Sequence, residues 1–265
     1  MTNAICTLGQ VPLFADADIR SGVVSQQLFG EELIVLEKAG AWLHIVRPFD
    51  NTDAWMEEKY QIGLRDDLLS DGASENGHRI VTAPHAALRT PEGRQVLMLP
   101  AGAIWPVPIG HSLQLGNTSL VPEYDGDLSL TGRNTDPERI CRQWLSLPYV
   151  QGGRSGYGFD GGGLVQTLCR CMGVGIPQDC GQQAMLGETV NFMHEVRKGD
   201  LAFFDNEDGE IAHVGMILGE GQVVHCHREV SIDRIDQQGI FDTVAGRYSH
   251  RLRIIKRLLP EQETN

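Results

Sequence analysis

Residues 148–166 read PYVQGGRSGYGFDGGGLVQ, a glycine-rich stretch that runs directly into the apolar segment GLVQTLCRCMG at 163–173. In that segment Leu164, Val165, Leu168 and Met172 recur at the helical period on one face, and Gly173 stands where the helix should end. Upstream, PERICRQWLSL at 137–147 spaces Ile140, Trp144 and Leu147 in the same way. Downstream the pattern changes. LAFF (201–204), HVGMILG (213–219), QVVHC (222–226), EVSID (229–233) and RLRIIKRL (251–258) are short, β-rich runs divided by Asn, Asp and Gly. Helices followed by consecutive strands predict an α+β domain over residues 134–265, its helices packed on an antiparallel sheet. The run Gly161-Gly162-Gly163 costs on the order of 1 kcal/mol per glycine relative to alanine in a helix interior, which predicts a frayed first turn.

Ahead of this domain the chain is all β in character. From Val11 to Gly63 short runs alternate apolar and polar residues, which predicts a small barrel over residues 1–68. Gly30-Glu31, Ala41-Trp42 and Ala54-Trp55-Met56 punctuate it in a way that resembles a bacterial SH3 domain. A polar linker follows from Ser70 to Gly77. RIVTAPHAALRT (79–90), QVLMLPAGAIWPVP (95–108) and SLQLGNTSLVP (112–122) then repeat the plan, predicting a second SH3-like barrel over residues 77–128.

A length of 265 residues accommodates this division, since single domains commonly hold roughly 100 to 200 residues. Lys and Arg number 22 against 35 Asp and Glu, a formal charge of -13, which argues against nucleic acid or an anionic membrane as partner and favours a small or cationic ligand. No apolar run approaches the roughly 20 residues needed to span a bilayer, and the first 20 residues lack the basic start and apolar stretch of a secretory signal, so a cytoplasmic location is expected. Oligomeric state is not legible. Cys6, Cys141, Cys169, Cys171, Cys180 and Cys226 form no regular framework and are expected to be reduced and mostly buried. Cys169 and Cys171 would splay apart on a helix and no Cys-x-x-Cys pair exists, so neither a metal nor a cofactor is expected. The glycine run lacks the Lys-Ser or Lys-Thr of a phosphate-binding loop.

Five segments in register, PYVQGGRSGYGFDGGGLVQ, GIPQDCGQQ (175–183), RKGDLAFF (197–204), HVGMILG and VVHC (223–226), resemble the signatures of the NlpC/P60 cysteine peptidases. The resemblance implies a papain-like domain behind the SH3-like barrels. In the family, positions 160–163 usually read Asp-Cys-Ser-Gly, whereas this chain has Asp160-Gly161-Gly162-Gly163. Gly161 therefore occupies the position of the nucleophilic cysteine. The resemblance assigns the general base to His213 and the group that orients its ring to His225, with His227 as the alternative. It assigns Asp160 to holding the free amine of an N-terminal L-alanine, and Tyr149 to lining the same pocket. Gln151 replaces a tryptophan, Gln178 an arginine and Gly162 a serine, although a backbone N–H suited to an oxyanion remains at Gly162. Cys180 stands where a serine often lies near the substrate amine. In relatives the barrel closes one end of the groove, and Glu57, Glu58 and Tyr60 are candidates for that wall.

The implied ancestral reaction is hydrolysis of the bond between γ-D-glutamate and a diamino acid in murein peptides such as L-Ala-γ-D-Glu-meso-diaminopimelate, with no cofactor. Because Gly162, Gln151, Gln178 and Cys180 depart together with Gly161, the pattern favours a drifted, non-hydrolytic pocket that binds a short murein peptide. Two alternatives stand beside it: an active peptidase that uses a surrogate thiol such as Cys180 or carries cysteine at 161 in its native gene, and a purely structural or protein-binding module.

Overall fold

The computed structural model describes residues 2–60, 62–64, 79–106, 112–115, 117–123, 128–130 and 135–258. The linker expected from Ser70 to Gly77 lies outside them. Residues 2–64 build one antiparallel sheet of seven strands, with the strand Thr2–Cys6 between Glu32–Ala39 and Ile62–Leu64. The alternation that predicted strands buries one face: Leu43, Ile45, Ala54 and Met56 meet Val11, Leu13 and Leu33 in a core. The sheet is compatible with an SH3-like unit.

Residues 79–130 form a four-stranded and a three-stranded sheet. Their core is not self-contained. Leu28 and Phe29, from the end of the first unit's strand Val23–Leu28 and the residue after it, pack with Val81, Leu88, Leu99 and Trp105. The two N-terminal units thus share apolar burial, which the sequence reading as two separate barrels did not anticipate.

The third region follows the α+β expectation with one difference. Helices Pro137–Cys141 and Gly161–Cys171 pack Ile140, Leu164, Val165 and Leu168 against Leu201, Phe203, Val214 and Met216 of an antiparallel sheet. The sheet does not remain open. Strand Arg247–Arg257 is long enough to pair through its second half with Leu201–Asp205 and through its first half with Gly239–Asp242, which closes six strands into a barrel. The start of helix Gly161–Cys171 is also better held than its glycines suggest. Asp160, in an extended conformation, caps it by accepting a hydrogen bond from the Gly163 N–H. The tail turns off at Gly173, whose φ of 79° suits glycine.

A buried charge cluster joins the first unit to this domain. The fully buried carboxylate of Glu31 accepts from Arg154 Nη1 at 2.7 Å, pairs with Arg170, and lies 3.9 Å from Arg47. Asp50 completes the cluster by accepting from Arg47 at 2.6 Å and from Gln166 Nε2 at 2.7 Å. The Phe49 ring lies against the guanidinium groups of Arg47, Arg154 and Arg170. Burial alone would raise the Glu31 pKa, but Arg154, Arg170 and Arg47 outweigh it and hold the carboxyl below its ordinary value.

Candidate functional site

Three glycines at one helix start behave differently. A β-carbon added to Gly161 would lie 3.1 Å from Nδ1 and 3.2 Å from Cε1 of His213. One added to Gly162 would overlap the carbonyl oxygen of Gln178, and one added to Gly163 would overlap that of Gly153. Position 161 therefore admits a side chain aimed at an imidazole, while positions 162 and 163 admit none unless the backbone moves.

His213 belongs to strand Ile211–Gly219, where Gly215 sits opposite His225 on strand Gln222–Cys226. A β-carbon at Gly215 would overlap Val223 Cγ2 at 2.6 Å and the Val224 carbonyl oxygen at 2.8 Å and crowd the His225 β-carbon at 3.1 Å, so glycine there lets the two strands lie close. His213 Nε2 lies 2.9 Å from His225 Nδ1, and His225 Nε2 lies 2.9 Å from Asp233 Oδ2. Asp233 also accepts from the Ser231 hydroxyl at 2.8 Å. Because ionised Asp233 can only accept, His225 carries its proton on Nε2, its Nδ1 must accept, and His213 must donate from Nε2. The lone pair of His213 is then on Nδ1, facing Gly161. Burial, reinforced by the neighbouring His225, His250 and His227, keeps the His213 pKa well below its usual value, so the ring is neutral at pH 7.

Asp160 lies at the other side of the helix start. Besides Gly163, its carboxylate accepts from the Gly152 N–H at 3.0 Å and from Gln178 Nε2 at 3.1 Å. Burial raises its pKa to about 6 despite those three donors. Gln178 in turn accepts from Ser25 of the first unit at 2.7 Å, and a β-carbon on Gly152 would meet the backbone at Val23 and Ser25. The wall beside Asp160 is therefore strand Val23–Leu28. Glu58 and Glu57 instead pair with Lys38 and Lys59 within their own unit, and Tyr60 packs on its core.

Tyr149 is about two-fifths exposed and donates its hydroxyl to Gln151 Oε1 at 2.8 Å. Tyr149, His213, Cys226, His227 and His250 line one cleft of about 1200 Å³. His227 is exposed and makes no hydrogen bond to His213, so of the two candidates for orienting that ring only His225 is bonded to it. The thiol of Cys180 turns towards the Ile211 carbonyl at 3.7 Å, and burial together with Asp179 raises its pKa. Cys226 donates to the Phe159 carbonyl at 3.2 Å and is pushed up to about 12 by burial. All six cysteines are free, and Cys180 alone is not fully buried. Among the described residues no helix is long and apolar enough to cross a membrane.

Asp233, Ser231 and His250 escaped the sequence reading. EVSID was read as a strand, and the i, i+2 spacing of Ser231 and Asp233 was the available signal that both face one way. His250 had none. Barrel closure brings it in, and its ring stacks on His213 with centroids 4.3 Å apart.

A helix whose first residue faces a strand imidazole, itself bonded to a second imidazole, forms the centre of the site. Residues 146–247 match the sequence model of the NlpC/P60 family, so this region is an NlpC/P60 domain. The chain is 28% identical over 249 residues to a gamma-D-glutamyl-L-lysine dipeptidyl-peptidase of Bacillus cereus, covering 84% of this chain and 73% of that protein. It is 27% identical over 220 residues to the Bacillus subtilis protein of the same name, covering 77% and 72%. Among solved structures, an NlpC/P60 family protein from Bacillus cereus superposes with a TM-score of 0.80 at 22% identity, over 98% of this chain and 100% of that one. The fold is therefore shared with that protein over nearly the full length of both.

Proposed function

We propose that this chain is a non-hydrolytic NlpC/P60 protein that binds short murein-type peptides bearing a free N-terminal L-alanine, of the L-Ala-γ-D-Glu-diamino acid kind. The observation that carries the proposal is that Gly161, with no side chain, faces the lone-pair nitrogen of His213 while the Asp160 end of the pocket stays built. His213 is the general base of the family reaction, and His225 and Asp233 are positioning residues that set its tautomer. With no thiol to deprotonate, the base has nothing to act on. Asp160, walled by Val23 and Ser25, receives the peptide's ammonium group, so an N-terminal extension would collide with the first barrel. Tyr149 lines the same pocket, with Gln151 beside it in place of the family's tryptophan. Gly162 offers its N–H to the peptide carbonyl, and the Cys180 backbone nitrogen stands 3.6 Å from where a Gly162 β-carbon would lie. The relatives named gamma-D-glutamyl-L-lysine dipeptidyl-peptidases point to the same peptide class.

The surrogate-thiol reading is disfavoured on chemical grounds. Cys180 is directed at a backbone carbonyl and its thiolate is disfavoured by burial and by Asp179, while Cys226 is more strongly protonated still. The test is to incubate the chain and its Gly161→Cys variant with L-Ala-γ-D-Glu-L-Lys. Calorimetry should show binding by the chain, and dipeptide should be released by the variant alone. Turnover by the unmodified chain would overturn the silent reading, and absence of binding would overturn the binder.

A further inference from the structure

Four imidazoles gather on one side of the site, more than a proton relay uses. Between any two of His213, His225 and His250, one ring nitrogen of each lies within 4.8 Å of the other's. The ring of His227 stands 4.9 Å from that of His250 on the open side. We propose that this chain binds one divalent transition-metal ion of the zinc class through His213, His225 and His250. No cysteine belongs to this group. The ligands here come from three strands that only the folded barrel assembles.

The donor set fits the ion. Three imidazoles without a thiolate suit Zn²⁺, Ni²⁺ or Cu²⁺ rather than the oxygen-seeking Ca²⁺ and Mg²⁺. Imidazole must be neutral to ligate. Burial of the His213 and His225 rings favours that form. The support behind the cluster also fits. Metal-bound imidazoles almost always give their remote N–H to a carboxylate or carbonyl, and His225 Nε2 already does so to Asp233 while its Nδ1 faces the cluster.

One rearrangement is needed. His213 now donates from Nε2 to His225, so an ion between these nitrogens requires the His213 proton to move to Nδ1, leaving the ring neutral and Nε2 free to ligate. In a chain with a thiol at 161, Nδ1 would be engaged by that thiol. Here Gly161 leaves it free to take the proton. Zn–N bonds of about 2.0–2.1 Å set ligand nitrogens roughly 3.3 Å apart, so the cluster must tighten at its widest pair. His250 is half-buried and, among the described residues, its Nδ1 is held by the neighbouring Ser249, 2.9 Å away, which makes it the ring that moves. The cleft lined by His213, His227 and His250 supplies the entry path.

The test uses the full chain, stripped of metal and titrated with Zn²⁺ by calorimetry, and with Co²⁺ by visible absorption. One equivalent of Zn²⁺ should bind, and Co²⁺ should give the intense d–d bands of a low-coordinate site. His250→Phe keeps a ring stacked on His213 but removes the ligand, and Asp233→Asn removes the supporting carboxylate. Each should weaken Zn²⁺ by about 10- to 100-fold, while His194→Ala, distant from the cluster, should leave it unchanged. Melting curves establish that each variant is folded, and His250→Gln replaces the phenylalanine variant if that one is not. Absence of stoichiometric binding, or an affinity that neither His250→Phe nor Asp233→Asn alters, overturns the site. No peptide enters the measurement, so its failure and the failure of the peptide-binding proposal are separate results.

Discussion

Gly161 and His213 are set so that a single methyl group would bridge them, its carbon 3.1 Å from the imidazole Nδ1. At neighbouring Gly162 the same methyl would overlap the Gln178 carbonyl. Alanine at 161 thus asks a side chain to give by a few tenths of an ångström and recovers some of the roughly 0.5–1 kcal/mol that glycine costs a helix. Alanine at 162 asks a backbone to move. Urea denaturation should place Gly161→Ala within about 1 kcal/mol of the parent and Gly162→Ala some 2–3 kcal/mol or more below it. Equal losses would contradict this reading of the helix start. The same geometry makes Gly161→Cys the workable revertant, whereas restoring the family's serine at 162 as well should damage the loop that carries Gln178.

Asp233 acts on the site only through His225. In a Gly161→Cys background, Asp233→Asn can donate as well as accept, so the chain of tautomers that leaves the His213 lone pair on Nδ1 is no longer enforced. kcat should fall by roughly 10²- to 10³-fold with KM little changed, and the pH profile should shift. A proportionate change in KM, or no change in the profile, would show that Asp233 merely supports the sheet. Nitrogen NMR of the imidazoles reads the tautomers directly in the unmodified chain.

The parts legible in the sequence were those fixed by local pattern. The helical period of Leu164, Val165 and Leu168, and the short β-rich runs at 213–219 and 222–226, placed Gly161, His213 and His225 on a helix and two strands, as the structure has them. What pattern could not show is anything decided by closure. Strand Arg247–Arg257 looks the same in sequence whether it has one partner strand or two, yet its second pairing carries His250 to within stacking distance of His213. Likewise Leu28 and Phe29 fall inside the barrel predicted over residues 1–68 yet pack into the next unit, because the alternation that marks a residue as buried does not say against what. The wall beside Asp160 was sought at the end of the first barrel. It is formed by Val23 and Ser25, since contact between units depends on how they dock.

Peptide binding at Asp160 carries its own pH signature. Only the ionised carboxylate pairs with an ammonium group, and burial places this carboxyl at about 6, so protons compete with the peptide as pH falls through that value. The peptide's own α-amine loses its charge above about 8. Affinity measured by calorimetry should therefore peak between about 6 and about 8, falling close to tenfold for each unit below the peak. Asp160→Asn should remove the acidic limb while retaining the helix cap. An affinity flat from pH 5 to 7 would separate Asp160 from the ammonium group.

Glu31 ties the first unit to the domain that carries the site, and its removal should be felt in both. Glu31→Gln keeps the shape but leaves Arg154, Arg170 and Arg47 facing one another with Asp50 as the remaining counter-charge among the described residues. Breaking a buried pair by removing one partner typically costs about 3–5 kcal/mol, so thermal and urea unfolding should both show a large loss. The sign of the pH dependence follows from the lowered Glu31 pKa. Its contribution is complete above the ordinary glutamate value of 4.5 and is lost as pH falls towards the lowered one, so the parent and the variant should converge in acid. A gap that stays constant between pH 7 and pH 3 would mean that packing around Phe49, rather than the charge on Glu31, holds the interface. Because Ser25 reaches Asp160 through Gln178 from the same barrel, weakened peptide binding should accompany the loss of stability at pH 7.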